Sequence, residues 1–164
     1  MTSNYENGIT SEFVKEETLI GSRMLIFEIN TIPKPQKQTK FSSRGAYDPS
    51  KQYKQSLQWQ MRPYAPKEPL HGPVKVHINF YMPIPKSVTK SVKKQMINGA
   101  CVPVKRPDID NMAYTVTNAM TDLVYEDDSQ IIDLVVSKRY AEVPKIVVKV
   151  IEMDLAKNDE DCQS

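Results

Sequence analysis

The chain has 164 residues, 40% of them apolar and 26% charged, with a formal net charge of +2. That length suits one domain with a modest core, and no window approaches the roughly 18 consecutive apolar residues of a membrane helix. Cys101 and Cys162 lack metal-ligand or disulfide-framework spacing and the polar, acidic start is no signal peptide, so the composition points to a cytoplasmic protein with reduced thiols.

The small net charge conceals an uneven distribution. Residues 1–20 hold Glu6, Glu12, Glu16 and Glu17 against Lys15, and residues 152–164 hold five acids against Lys157. The body between them is strongly basic, as a polyanion-binding protein requires. The expected organisation is therefore an acidic extension over 1–20, one domain over 21–154 and an acidic tail over 155–164.

In chain order, residues 23–32 mix apolar and β-branched side chains, end at Pro33, and predict a first strand. Residues 33–49 read as a long loop. Between Lys34 and Lys54 lie six cations (Lys34, Lys37, Lys40, Arg44, Lys51, Lys54) and one acid, Asp48, interleaved with Phe41, Tyr47 and Tyr53. Cations for phosphates and aromatics for stacking are the equipment of nucleic-acid binding, although a solvated loop has a similar composition. Asp48-Pro49-Ser50 can start a helix running to about Met61, with Tyr53, Leu57 and Met61 as its apolar stripe and Trp59 off it.

Residues 63–73 are a connector. Val74 to Met82 alternates cleanly, with Val74, Val76, Ile78, Phe80 and Met82 on one face and Lys75, His77, Asn79 and Tyr81 on the other, which predicts a strand. His71 and His77 are the only histidines, and without a third soft ligand they argue against zinc. Val88 to Ile97 predicts a short helix closed by Asn98-Gly99. From Lys86 to Arg106 there are six cations, Lys86, Lys90, Lys93, Lys94, Lys105 and Arg106, and no acid. A merely soluble helix face does not need that exclusion.

Two acidic clusters follow, Asp108-Ile109-Asp110 and Glu126-Asp127-Asp128. Between them Ile109, Met112, Ala113, Val116, Ala119, Met120 and Leu123 keep helical spacing. Asp108 and Asp110 are two apart, so they converge only if Asp108 lies outside the helix. Pro107 favours this by pushing Arg106 toward extended geometry, and an Asp is a good N-cap. Hard cations take carboxylate oxygens, while the plainer role of such acids is capping and complementing the helix dipole. Residues 131–140 and 145–153 read as two strands, joined over 141–144 as an antiparallel hairpin with Pro144 at a strand start. Beside the acids, Lys105 and Arg106 can hold a phosphate.

The segment Arg106-Pro107-Asp108-Ile109-Asp110-Asn111, followed after a helix by Asp127-Asp128-Ser129-Gln130-Ile131, resembles the RusA family of Holliday-junction resolvases, phage- and prophage-associated endodeoxyribonucleases. The resemblance is close over 104–137 and looser over 34–53. It implies catalytic, metal-holding carboxylates at Asp108, Asp110 and Asp128, with Asp127 the more variable neighbour and Asn111 in support. It also implies Mg²⁺ (or Mn²⁺) as cofactor, a four-way DNA junction as substrate and a homodimer. The family's helix lysine, four residues after the second Asp, is Tyr114 here, so either another cation, Lys105, Arg106 or Lys138, supplies the missing charge or activity is reduced. DNA-tracking cations are expected at Lys34, Lys37, Lys40, Arg44, Lys51, Lys90, Lys93, Lys94, Lys105 and Arg106.

The order β, α, β, short α, α, β, β predicts an α/β (α+β) fold, a mixed, mainly antiparallel four-stranded sheet with helices on one face. Two rivals remain: a catalytically silent junction-binding protein, favoured by Tyr114, and a metal-dependent enzyme acting on nucleotides. The second is disfavoured because no Gly-rich phosphate loop occurs among only five glycines.

Overall fold

The computed structural model describes residues 17–19, 22–37, 40–43 and 45–153. The acidic stretches 1–16 and 154–164, with Cys162, lie outside them, as do Gln38, Thr39 and Arg44. Four long strands make the sheet: β2 (Ser22–Ile29), β5 (Val74–Pro83), β6 (Ile131–Ala141) and β7 (Lys145–Met153). A three-residue strand, β1 (Glu17–Leu19), adds to the β2 edge, giving the order β1-β2-β7-β5-β6. All pairings are antiparallel except β5 with β6. This is the expected mixed, mainly antiparallel sheet.

The alternation read in β5 is the reason it sits inside the sheet. Val74, Val76, Ile78 and Phe80 are fully buried under the helices, while Lys75, His77, Asn79 and Tyr81 point to the other face. Each such apolar side chain contributes about 1.5–3 kcal/mol on burial. The same face is built by Leu25, Phe27 and Ile29 of β2 and by Ile146, Val148 and Val150 of β7. Helices α1 (Lys51–Met61) and α3 (Ile109–Met120) cover it; α2 (Lys90–Ile97) buries no residue. In α1, Leu57 and Met61 are buried and Tyr53 packs against the core, as the stripe predicts, and Trp59 is exposed. In α3 the periodic Met112, Ala113, Val116, Ala119 and Met120 are all buried.

Three expectations are corrected. The first strand stops at Ile29 rather than residue 32. There the backbone leaves the sheet for α1: the Asn30 amide donates to Gln60 Oε1 (2.9 Å), and the Tyr53 hydroxyl donates to the Ile32 carbonyl (3.0 Å). The segment read as a loop holds a two-stranded hairpin, β3 (Lys40–Ser42) with β4 (Gly45–Tyr47), where Gly45 takes φ +113°, a conformation side-chain-bearing residues rarely adopt. Finally, β6 and β7 do not form a hairpin, because β5 lies between them. The chain leaves β5, crosses through α2 and α3, and returns parallel to β5 as β6. The more completely apolar β7, with three fully buried residues, takes the interior slot. Residues 142–144 suffice to step across one strand, a lateral distance of about 10 Å. β6 is left on the edge.

Candidate active site

Helix α3 starts where Asp108 is still extended (φ −71°, ψ 139°) and its carbonyl accepts the first helical bond, from the Met112 amide (3.2 Å). Its side chain makes no capping hydrogen bond. Asp110 lies in the first turn. Both carboxylates are exposed, and among the described residues no hydrogen bond or ion pair is found on either. Both carboxylates therefore lie at the N-terminal end of α3, where the positive end of the helix dipole favours acids.

The backbone around them is held from both sides. Lys138 on β6 extends its ammonium under the preceding loop and donates to the carbonyls of Lys105 and Pro107, each at 3.0 Å. The Arg106–Pro107 peptide is cis. On the other side the Gln36 amide donates to the Asn111 carbonyl (3.2 Å), which also accepts from Thr115 Oγ1 (2.9 Å). Lys105 and Arg106 are exposed.

The second acidic cluster has a divided role. Asp127 caps the 3₁₀ turn Asp128–Gln130: its Oδ1 accepts from the Ser129 amide (2.9 Å), while the Asp127 amide donates to Gln130 Oε1 (2.9 Å). The bonds from Ser129 hold the Asp127 carboxyl below its usual range. Gln130 Nε2 donates to the carbonyls of Leu70 and Gly72, both at 2.8 Å, pinning the turn to the connector before β5. The Asp128 carbonyl accepts from the Ile131 amide, while its side chain is exposed and is not one of the partners in this network. Below it lies Tyr125, whose phenol is pushed well above its ordinary range by burial, then by the charges of Asp128 and Asp127. Its hydroxyl donates to the Thr117 carbonyl at 2.7 Å.

The two clusters do not meet within one chain. They flank the twelve residues of α3, a length of about 18 Å at 1.5 Å per residue. Asp108 and Asp110 share the end of α3 beside Lys138; Asp128 belongs to the end beside the start of β6. Among the described residues no group of three His, Cys, Asp or Glu side chains suited to a metal ion is found.

The expected DNA-tracking cations divide similarly. Lys37, Lys40 and Lys51 are exposed around the β3–β4 hairpin, and Lys90 and Lys94 on α2. Lys34 sits over the Tyr53 ring (5.3 Å), and Lys93 pairs with Glu142 (2.8 Å). Arg44 is outside the described residues. Lys54 is structural: it donates to Asn118 Oδ1 (3.0 Å) and pairs with Asp48 (2.6 Å), and the Asp48 contact leads the interactions holding that carboxyl below its usual range.

The sequence profile of Endodeoxyribonuclease RusA matches residues 30–151, which includes both acidic clusters and the hairpin. The chain belongs to the RusA endodeoxyribonuclease family. It is also 39% identical over 106 residues to "Uncharacterized protein YqaN" of Bacillus subtilis (strain 168), an alignment covering 63% of this chain and 75% of that protein. Within the RusA pattern, the structure separates the acid that caps, Asp127, from the exposed acid, Asp128. It also gives the motif Gln130 a task that the sequence alone did not reveal, fastening the 3₁₀ turn. Tyr114, at the position of the family lysine, is exposed on α3 one turn beyond Asp110. Lys138 reaches the loop before α3 through that loop's backbone, at the Lys105 and Pro107 carbonyls. No helix among the described residues is long and apolar enough to cross a membrane.

Proposed function

We propose that this chain is a magnesium-dependent endonuclease that resolves four-way DNA junctions by paired phosphodiester hydrolysis, acting as a homodimer. The observation that carries the reading is the exposed Asp108–Asp110 pair, without donors to it among the described residues and preceded across Pro107 by Lys105 and Arg106, in a RusA-family chain. The donor set suits a hard cation, since two carboxylates with water and phosphate oxygens are what Mg²⁺ or Mn²⁺ takes. Asp108 and Asp110 would hold the ion. When bound, it supplies Lewis-acid stabilisation of the scissile phosphate and a lowered pKa for water. Lys105 and Arg106 attract and orient the phosphate beside the carboxylates. Lys138 keeps the loop rigid, so that the two acids share one geometry rather than many. Asn111, also exposed in the first turn, can contact the phosphate with its amide.

The separation of Asp128 from the pair supports a dimer with composite sites. β6 has no strand on its outer edge among the described residues, and Ile132, Leu134 and Val135 along it are 60%, 45% and 50% exposed. A long apolar edge is a template for pairing. A second copy laid antiparallel along this edge would set the start of one β6 beside the Lys138 end of the other. Asp128 of each subunit would then approach Asp108 and Asp110 of its partner, giving two sites related by a two-fold axis. A four-way junction offers two symmetric strands to such a pair.

The test is cleavage of a labelled synthetic four-way junction in Mg²⁺ and in EDTA. Paired, symmetric nicks that require the metal are expected. Tyr114 favours the silent junction-binding protein as the second reading, and tight binding without nicks in either Mg²⁺ or Mn²⁺ would select it. Displacement of the junction by free nucleotides would instead point to a small phosphorylated substrate.

A further inference from the structure

Three aromatics are interleaved with cations over residues 34–54, and the structure uses them differently. Tyr53 packs against the core; burial raises its phenol above the ordinary range, and its oxygen accepts from the Lys34 amide (3.1 Å). Tyr47 stands opposite Lys40 across the hairpin. Phe41 is different. It is 85% exposed, the most exposed large apolar side chain among the described residues, and stands opposite Ala46 across the ladder. β4 is exposed throughout, so no core lies beneath the hairpin.

A lone exposed apolar residue is ordinary; its mounting is what distinguishes this one. A two-stranded hairpin is marginal by itself, and this one is fastened at its base. The Lys37 amide donates to Ser50 Oγ (2.8 Å), Gln36 Nε2 to Asp48 Oδ1 (3.2 Å), and the Gln36 amide to the carbonyl of Asn111 in the first turn of α3. The last bond ties the hairpin to the helix start that bears Asp110. Asp48, the one acid of the segment, is engaged by Lys54 and the Ser50 amide. The remaining charge around the hairpin is positive, from Lys37, Lys40 and Lys51. An aromatic face amid cations suits a nucleobase with its phosphates.

We propose that Phe41 stacks on a base exposed at the branch point of the DNA, and that this contact gives the protein its preference for branched over linear duplex; the proposal rests on the nuclease reading above. A continuous duplex has every base face covered by its neighbours. A branch point interrupts the stack and leaves faces open. An aromatic on a hairpin whose preceding segment is bonded to the first turn of α3 therefore gains its contact only where strands exchange, and aligns the cut with the branch.

The experiment uses the full chain in EDTA with a four-way junction carrying 2-aminopurine at the branch, and a linear duplex of equal length. Wild type is expected to change the 2-aminopurine emission and to prefer the junction. Phe41→Ala is expected to lose the emission change and about tenfold in junction affinity, with duplex affinity moving less than twofold. Phe41→Trp is expected to restore both. Because Phe41 supports no core, the variants should keep the wild-type melting temperature. An unchanged junction affinity and emission in Phe41→Ala, or an equal loss on junction and duplex, overturns the proposal. Junction cleavage by wild type together with an indifferent Phe41→Ala removes this contact alone; a wild-type chain that binds neither DNA removes the nuclease reading with it.

Discussion

Changing Asp110 to Asn should lower junction cleavage by about 10³-fold or more, the scale on which removing a group that stabilises transferring charge acts. Asparagine keeps the shape and one oxygen but not the negative charge that holds a hard cation. Junction binding should persist or tighten, because one fewer anion faces the phosphates. Folding should change little: Asp110 is exposed, with no side-chain hydrogen bond found on it among the described residues, and losing its favourable place at the helix N-terminus costs about 0.3–1 kcal/mol. Single-turnover cleavage with saturating protein, beside junction affinity without metal, reads the two effects separately. Retained cleavage in Asp110→Asn would remove the acidic pair from the chemistry.

A charge on the exposed edge should have a comparable effect from a distance. Leu134→Glu is expected to convert a dimer to monomers and lower cleavage by about 100-fold or more, since an unpaired carboxylate inside a packed interface carries a desolvation cost of several kcal/mol and each 1.4 kcal/mol is tenfold. Leu134 is half-exposed at the sheet edge, so the isolated chain should melt close to wild type. Sedimentation equilibrium and thermal unfolding on the same samples check both parts. A Leu134→Glu protein that remains dimeric and cuts normally would place the interface elsewhere.

Legibility in the sequence followed how local the physics was. α3 was readable because its apolar spacing and its burial are the same fact, from Met112 to Met120. β5 was readable for the same reason at a period of two. The partner of each strand was not. Residues 142–144 fit a tight hairpin and a step across β5 equally well, and only competition for the interior slot decided between β6 and β7. The β3–β4 hairpin left a faint signal in Gly45, obscured by the surrounding polar residues. The two acidic clusters were evident in the sequence, and the family resemblance was what singled out Asp108, Asp110 and Asp128 within them. Their distance apart follows from the helix between them, twelve residues at 1.5 Å each. Gln130 and Lys138 were missed as positioning residues because their partners are backbone carbonyls 60 and 33 positions away, among others. No short-range pattern encodes such contacts.

The central claim, one metal site built by Asp108 and Asp110 of one subunit with Asp128 of the other, is tested most directly by mixing variants. Asp110→Asn and Asp128→Asn chains, differently tagged and co-expressed, give a heterodimer that can be purified through both tags. If the sites are shared between subunits, one site has lost both contributions and the other retains all three carboxylates. Each variant homodimer should then be inactive, and the heterodimer should nick one strand of a labelled four-way junction. A heterodimer as inactive as the two homodimers would contradict the shared site, because that result requires each chain to supply its own three acids.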